Sequence, residues 1–252
     1  MDLKRLVAEL DGWMHPELYR DHCPNGLQVE GEATVRRLLC GVSASEALID
    51  RAIAWQAQAI LVHHGYFWRG ETPVITGRKA RRLRKLLHHG ISLIAYHLPL
   101  DVHPALGNNA QLAQRLGLVV EGQARVADTP GLLWYGQLPD ALDREALAVH
   151  VHRELGRAPL CLGGRGDRLL RRIAWCTGAA QGFIDEALAL GVDVYLSGEV
   201  SEPTYHSAIE GDILYIAAGH HATERYGVQA LARQVRECLG IETDYFEDDN
   251  PV

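Results

Sequence analysis

From residue 35 onward, short apolar runs alternate with amphipathic stretches, the pattern of strands interleaved with helices in an α/β architecture. Before them, Leu3, Leu6, Val7 and Leu10 mark one face of an N-terminal amphipathic helix. Val35 to Val42 reads as a strand ending in Gly41-Val42-Ser43. Ser45 then caps a helix with Leu48, Ile49, Ala52 and Ile53 on its apolar face, and Ala59-Ile60-Leu61-Val62 follows as a buried strand. A basic helix over residues 78–89 ends near Gly90, Ile91 to Ala95 is the next strand, and a helix covers about 108–116. Residues 119–127 and 132–138 predict strands around the turn Asp128-Thr129-Pro130-Gly131. A helix over 143–155 and a loop at Gly163-Gly164-Arg165-Gly166 come after them.

The pattern is written twice. At an offset of 135 residues, Arg36-Arg37-Leu38 falls on Arg171-Arg172-Ile173 and Ala59-Ile60-Leu61 on Val194-Tyr195-Leu196. Eight of the 29 positions in 36–64 recur without gaps in 171–199. After a small length adjustment, Leu93-Ile94-Ala95 aligns with Leu214-Tyr215-Ile216. Self-similarity at half the chain length predicts two copies of one α/β unit, residues 1–127 and 128–252, with helices layered on mixed sheets and a ligand site in the cleft between them.

Composition narrows the functional classes. The 252 residues are 47% hydrophobic and 23% charged, an ordinary globular balance. A net charge of −7 argues against nucleic acid and anionic membrane as partners. The basic run Arg78, Lys79, Arg81, Arg82, Arg84 and Lys85 reads as a solvated helix face, with a phosphate or subunit contact as the other reading. Five scattered cysteines without a C-x-x-C exclude a thiolate zinc site and point to a reducing compartment. With neither a signal-peptide pattern nor an apolar run of membrane length, the expectation is a cytoplasmic protein.

Thirteen histidines are out of proportion, and six of them form His-His pairs at 63–64, 88–89 and 220–221. His88-His89 ends a helix, where imidazolium complements the helix dipole. Four histidines stand four residues before an acid: His97, His150, His206 and His220. His150 and His206 fall on helices and read as surface pairs. His63-His64, His97 with Asp101, and His220 with Glu224 instead follow apolar strands, where α/β sheets bind ligands. Imidazole and carboxylate donors without thiolates suit zinc, iron or manganese. Five ligands, His63, His64, Asp101, His220 and Glu224, exceed one open site and fit two divalent transition-metal ions per chain about 3.5–4 Å apart. No phosphate-loop, nucleophile-elbow or H-E-x-x-H motif competes.

Several motifs resemble one family in order along nearly the whole chain. They are Asp21-His22-Cys23-Pro24-Asn25-Gly26-Leu27-Gln28-Val29, Val62-His63-His64-Gly65, Tyr96-His97-Leu98-Pro99-Leu100-Asp101, Leu106-Gly107-Asn108-Asn109, Ser197-Gly198-Glu199 and Ala218-Gly219-His220-His221-Ala222-Thr223-Glu224. The sequence is similar to the Nif-three-like dinuclear metal-centre proteins, homologues of type 2 GTP cyclohydrolase I, in their short bacterial form. The resemblance implies two metals held by the same five residues, His97 beside them or facing substrate, and a toroidal homohexamer. Two functions follow as expectations. One is a metal-dependent hydrolase acting on a nucleotide-like or heterocyclic substrate, with His97 or Glu199 as general acid or base; the stronger reading of Glu199 is a surface carboxylate or a hydrogen-bonding partner of a ligand histidine. The other is a non-catalytic metal carrier, sensor or interaction platform.

Overall fold

The computed structural model describes residues 1–164 and 168–252; Arg165 and Gly166 of the expected loop lie outside the described residues. In chain order the elements are α1 (Leu3–Met14), β1 (Gly26–Val29), β2 (Arg37–Ser43), α2 (Glu46–Ala54), β3 (Ala59–His64), α3 (Gly77–His88), β4 (Ser92–Ala95) and α4 (Leu98–Val102). There follow α5 (Asn108–Leu116), β5 (Val119–Val126), β6 (Thr129–Leu142), α6 (Arg144–Leu155), β7 (Leu160–Gly163), β8 (Leu170–Cys176) and α7 (Ile184–Ala189). The chain ends with β9 (Val194–Ser197), α8 (Glu202–Glu210), β10 (Leu214–Ala217), α9 (His220–Leu239) and β11 (Glu242–Tyr245). The mixed α/β architecture with layered helices is the one expected.

Two compact units form, Met1–Gly107 with Gly227–Asp249, and Asn108–Tyr226 with Asn250–Val252. Residue 127, where the sequence was divided, lies in the turn joining β5 to β6, and these strands pair in one sheet of the second unit.

The first unit holds a five-stranded sheet in the order β1-β4-β3-β2-β11. Strands β2, β3, β4 and β11 run parallel and β1 closes the edge antiparallel. Alternate residues of these strands point to opposite faces. Leu38, Cys40, Ala59, Leu61 and Ile94 pack with Leu3, Leu6 and Leu10 of α1 and Leu231 and Val235 of α9. Leu39, Ile60, Val62, Leu93 and Ala95 pack with Leu48, Ile49 and Ala52 of α2 and Leu83 and Leu86 of α3. Burial on both faces explains why these strands read as unbroken apolar runs. Ser45 caps α2 by accepting from the Leu48 amide at 3.2 Å, as its sequence position predicts. The basic face of α3 is exposed, with Lys85 bridging Glu46 and Asp50 and Lys79 bridging Glu71.

The second unit holds a six-stranded sheet, β5-β6-β8-β9-β10-β7, in which β8, β9 and β10 are parallel. Trp134, Ile173, Trp175, Leu196 and Ile216 pack with Leu112 and Leu116 of α5 and Leu147, Val151 and Leu155 of α6. Strand β7 pairs antiparallel with β10, so Gly163 ends a strand where a loop was expected.

The register confirms the internal offset in atomic terms. Leu38 pairs with Ala59 and Cys40 with Leu61 across β2 and β3. Ile173 pairs with Val194 and Trp175 with Leu196 across β8 and β9, each partner 135 residues further on. One expectation is corrected. Ile60 faces Leu93 and Tyr195 faces Tyr215, so Leu93 corresponds to Tyr215 and not to Leu214. Consecutive apolar residues of a doubly buried strand look alike in sequence, and only the ladder fixes their register. His97 and His220 are therefore not register equivalents: His97 precedes α4, whereas His220 opens α9.

Candidate metal centre

Strand β3 ends in the first group of donors. His63 is fully buried and its Nδ1 lies 3.0 Å from the Tyr96 carbonyl, which fixes the ring with Nδ1 protonated and Nε2 as the lone-pair nitrogen. That Nε2 lies 3.5 Å from Asp101 Oδ1. Asp101 is buried in the one-turn helix α4, which starts directly after β4 and carries its carboxylate back to the β3 terminus. His64 Nδ1 lies 3.1 Å from Ser43 Oγ at the end of β2. The rings of His63 and His64 lie 4.4 Å apart, and His97 joins them at 5.0 and 5.8 Å. Each of the three offers a ring nitrogen within 4.8 Å of the others. A nitrogen fixed by a carbonyl at one position and turned toward a carboxylate at the other is how proteins present a ligand histidine.

A second group, Asp21, Cys23 and His97, also brings donor atoms together in the first unit. Its chemistry differs. Asp21 Oδ1 accepts from the His22 amide at 2.6 Å and faces His97 Nδ1 at 2.7 Å, while Oδ2 accepts from Asn25 Nδ2 and the Leu98 amide, both at 2.9 Å. Burial raises its pKa, but the His97, Asn25 and Leu98 hydrogen bonds outweigh that and hold it at about 2. Burial, reinforced by the Asp21 and Asp101 charges, pushes the Cys23 thiol up to about 12, so it stays protonated at neutral pH. Within this group Asp21 and His97 form a hydrogen-bonded carboxylate–imidazole dyad.

In the second unit the donors invert, with one imidazole between two carboxylates. His220 Nδ1 lies 2.7 Å from Glu199 Oε1 and Nε2 lies 2.9 Å from Glu224 Oε2, one helical turn along α9. Burial lowers the His220 pKa, but Glu224 and then Glu199 outweigh it and raise it to about 9. The backbone is shaped to this triad. Gly178 has φ +70°, and a Cβ there would collide with the Glu224 carboxylate. Its amide donates to Thr223 Oγ1 at 3.1 Å, and its carbonyl accepts from the Gly198 and Glu199 amides at 3.0 and 3.2 Å.

Within each unit the residues singled out from sequence thus converge. His63, His64, His97 and Asp101 meet in the first, and Glu199, His220 and Glu224 in the second. The other histidines go elsewhere. His103 Nδ1 accepts from the Ala105 and Leu106 amides. His206 faces Glu202 and not Glu210, and His150 faces the Leu116 carbonyl and Arg153. Sequence reasoning assigned no role to Asp21, Asn25, Trp68 or Gly178, although Asp21 and Asn25 stand in a quoted motif.

The chain matches a family model described as Duf34/NIF3 (NGG1p interacting factor 3) over residues 1–251. A Pseudomonas aeruginosa protein named GTP cyclohydrolase 1 type 2 homolog is 52% identical over 250 residues, 99% of this chain and 98% of the relative. A Vibrio cholerae protein of the same name is 47% identical over 253 residues, covering both chains fully. Among solved structures, protein ybgI, described as of unknown function, superposes with a TM-score of 0.96 at 45% identity, and a Thermus thermophilus protein with 0.88 at 32%; both cover the two chains fully.

Proposed function

This chain belongs to the Duf34/NIF3 family, and from that premise we propose that it is a cytoplasmic, dinuclear metal-dependent hydrolase acting on a nucleotide-like or heterocyclic substrate. His63, His64, Asp101, His220 and Glu224 would hold two divalent ions, of zinc, iron or manganese. The observation that carries the reading is His63, buried, with Nδ1 committed to a carbonyl and Nε2 turned to the Asp101 carboxylate. The donor set fits such ions: neutral imidazole nitrogens and carboxylate oxygens, with no thiolate among them. The names of the relatives support the substrate class.

Bound as a pair, the ions would supply Lewis acidity and a water acidic enough to give hydroxide near neutral pH. The chain's own groups do the rest. The Tyr96 carbonyl and Ser43 hydroxyl orient the His63 and His64 rings. Glu199 aims His220 through Nδ1 and raises its basicity as a ligand. His97, partly exposed, with its ring centroid 5.0 and 5.8 Å from those of His63 and His64, would hold and release a proton at the reacting atoms.

The same reading takes the chain as a toroidal homohexamer, and native mass spectrometry showing only monomer would contradict it. Protein from its own host should carry close to two transition-metal ions per chain by elemental analysis. Loaded with the metal found, it should hydrolyse a member of a nucleotide and heterocycle panel. Two retained ions with no turnover across that panel would favour the carrier or sensor; a chain that cannot be loaded would remove the metal site itself.

A further inference from the structure

We infer that Asp21 is a positioning residue: it fixes His97 as the tautomer protonated on Nδ1 and leaves Nε2 to take up and return the proton of the reaction. The inference rests on the hydrolase reading above. The Asp21 side chain is 3% exposed, and both oxygens are engaged by the four contacts described. A carboxylate whose pKa is held at about 2 accepts hydrogen bonds and donates none, so in the neutral imidazole the facing Nδ1 must carry the proton.

The arrangement holds more than the ring nitrogen. The Leu98 amide binds Asp21, and Asn25 Oδ1 accepts from the His97 amide at 2.7 Å. Asn25 also donates to Asp21, so the three side chains and the start of α4 form one closed network. The Trp68 and His97 rings pack nearly at right angles with centroids 4.9 Å apart. All of these groups lie in the first unit. The proton then follows a balanced route. Nε2 accepts it from the attacking water, the imidazolium is stabilised by Asp21, and Nε2 delivers it to the leaving atom as that bond breaks.

The test is histidine nitrogen NMR on the metal-free full chain in mildly alkaline buffer, with His97→Gln identifying the His97 signals. Wild type should show His97 protonated on Nδ1 and bare on Nε2. In Asp21→Asn the amide can donate to Nδ1, so the tautomer should invert while metal uptake stays as in wild type. Turnover of the panel substrate should then fall about 10²–10⁴-fold in kcat with KM little changed. The wild-type spectrum decides even if Asp21→Asn fails to fold: a His97 protonated on Nε2 in wild type overturns the inference. So does an Asp21→Asn protein that folds, keeps the wild-type tautomer and loses activity, or one that loses its metals. A wild type with the expected tautomer and no turnover on any substrate overturns the hydrolase reading and leaves the tautomer assignment standing.

Discussion

The two units share strand order and register in their central parallel strands, yet present opposite donor sets. Residue 63 of the first copy corresponds to Gly198 of the second, and His64 to Glu199. The first unit therefore ends its β3 strand in two imidazoles, with a third from His97. The second follows β9 with a glycine and a carboxylate and takes its imidazole from the first residue of α9. Gly198 makes that possible: a Cβ there would lie 2.7 Å from His220 Cα and 3.0 Å from its nitrogen. At equivalent register positions the first copy carries an imidazole and the second a glycine against which the start of α9 packs.

The comparison breaks most directly at that glycine. Gly198→Val should push α9 away from β9 and lower stability by about 3 kcal/mol or more, read as a large drop in thermal midpoint. An unchanged midpoint would mean that the close approach of α9 is not enforced. Next in size is the carboxylate that replaces His64. Glu199→Ala should weaken metal binding about 10–100-fold by freeing the His220 ring, with little change in fold; unchanged affinity in a metal titration would make Glu199 a surface residue.

Opposite donor sets also give opposite pH windows in the metal-free protein. His220 has its folded pKa raised to about 9. Its stabilisation is fully present below the unfolded value near 6.5 and is lost as pH rises through 9, on the order of 2 kcal/mol after solvent screening. Asp21 has its folded pKa lowered to about 2. Its stabilisation, about 2 kcal/mol, is present above 3.8 and lost as pH falls toward 2. Denaturant midpoints measured across both windows, in wild type, His220→Ala and Asp21→Asn, should show each variant flattening only its own limb. Smallest in effect is the proton count. At neutral pH, metal binding should release about one proton from His220, seen as a buffer-dependent heat that disappears in His220→Ala.

Much of this was legible in the sequence because local signals carry it. Apolar runs marked the doubly buried strands, Ser45 marked a helix start, and the repeat at 135 residues marked the shared ladder. Position after a strand, rather than the count of thirteen histidines, selected His63, His64, Asp101, His220 and Glu224. What was not legible depends on long-range geometry. Strand β11 returns from the chain end to pair with β2, and nothing local in Glu242–Tyr245 announces its partner. The role of Asp21 needed the 76-residue separation from His97 to be closed in space. Neighbouring apolar residues left Leu93 ambiguous between Leu214 and Tyr215 until the hydrogen-bond ladder settled it.

The central proposal is that His63, His64, Asp101, His220 and Glu224 hold one pair of ions. Electron paramagnetic resonance of the protein loaded with manganese(II) tests it most directly, because ions about 3.5–4 Å apart with a shared ligand are magnetically coupled. A coupled spectrum is expected at two manganese per chain, lost on substituting either His63 or His220 with alanine. Two uncoupled manganese signals, each abolished by only one of the two substitutions, would contradict it.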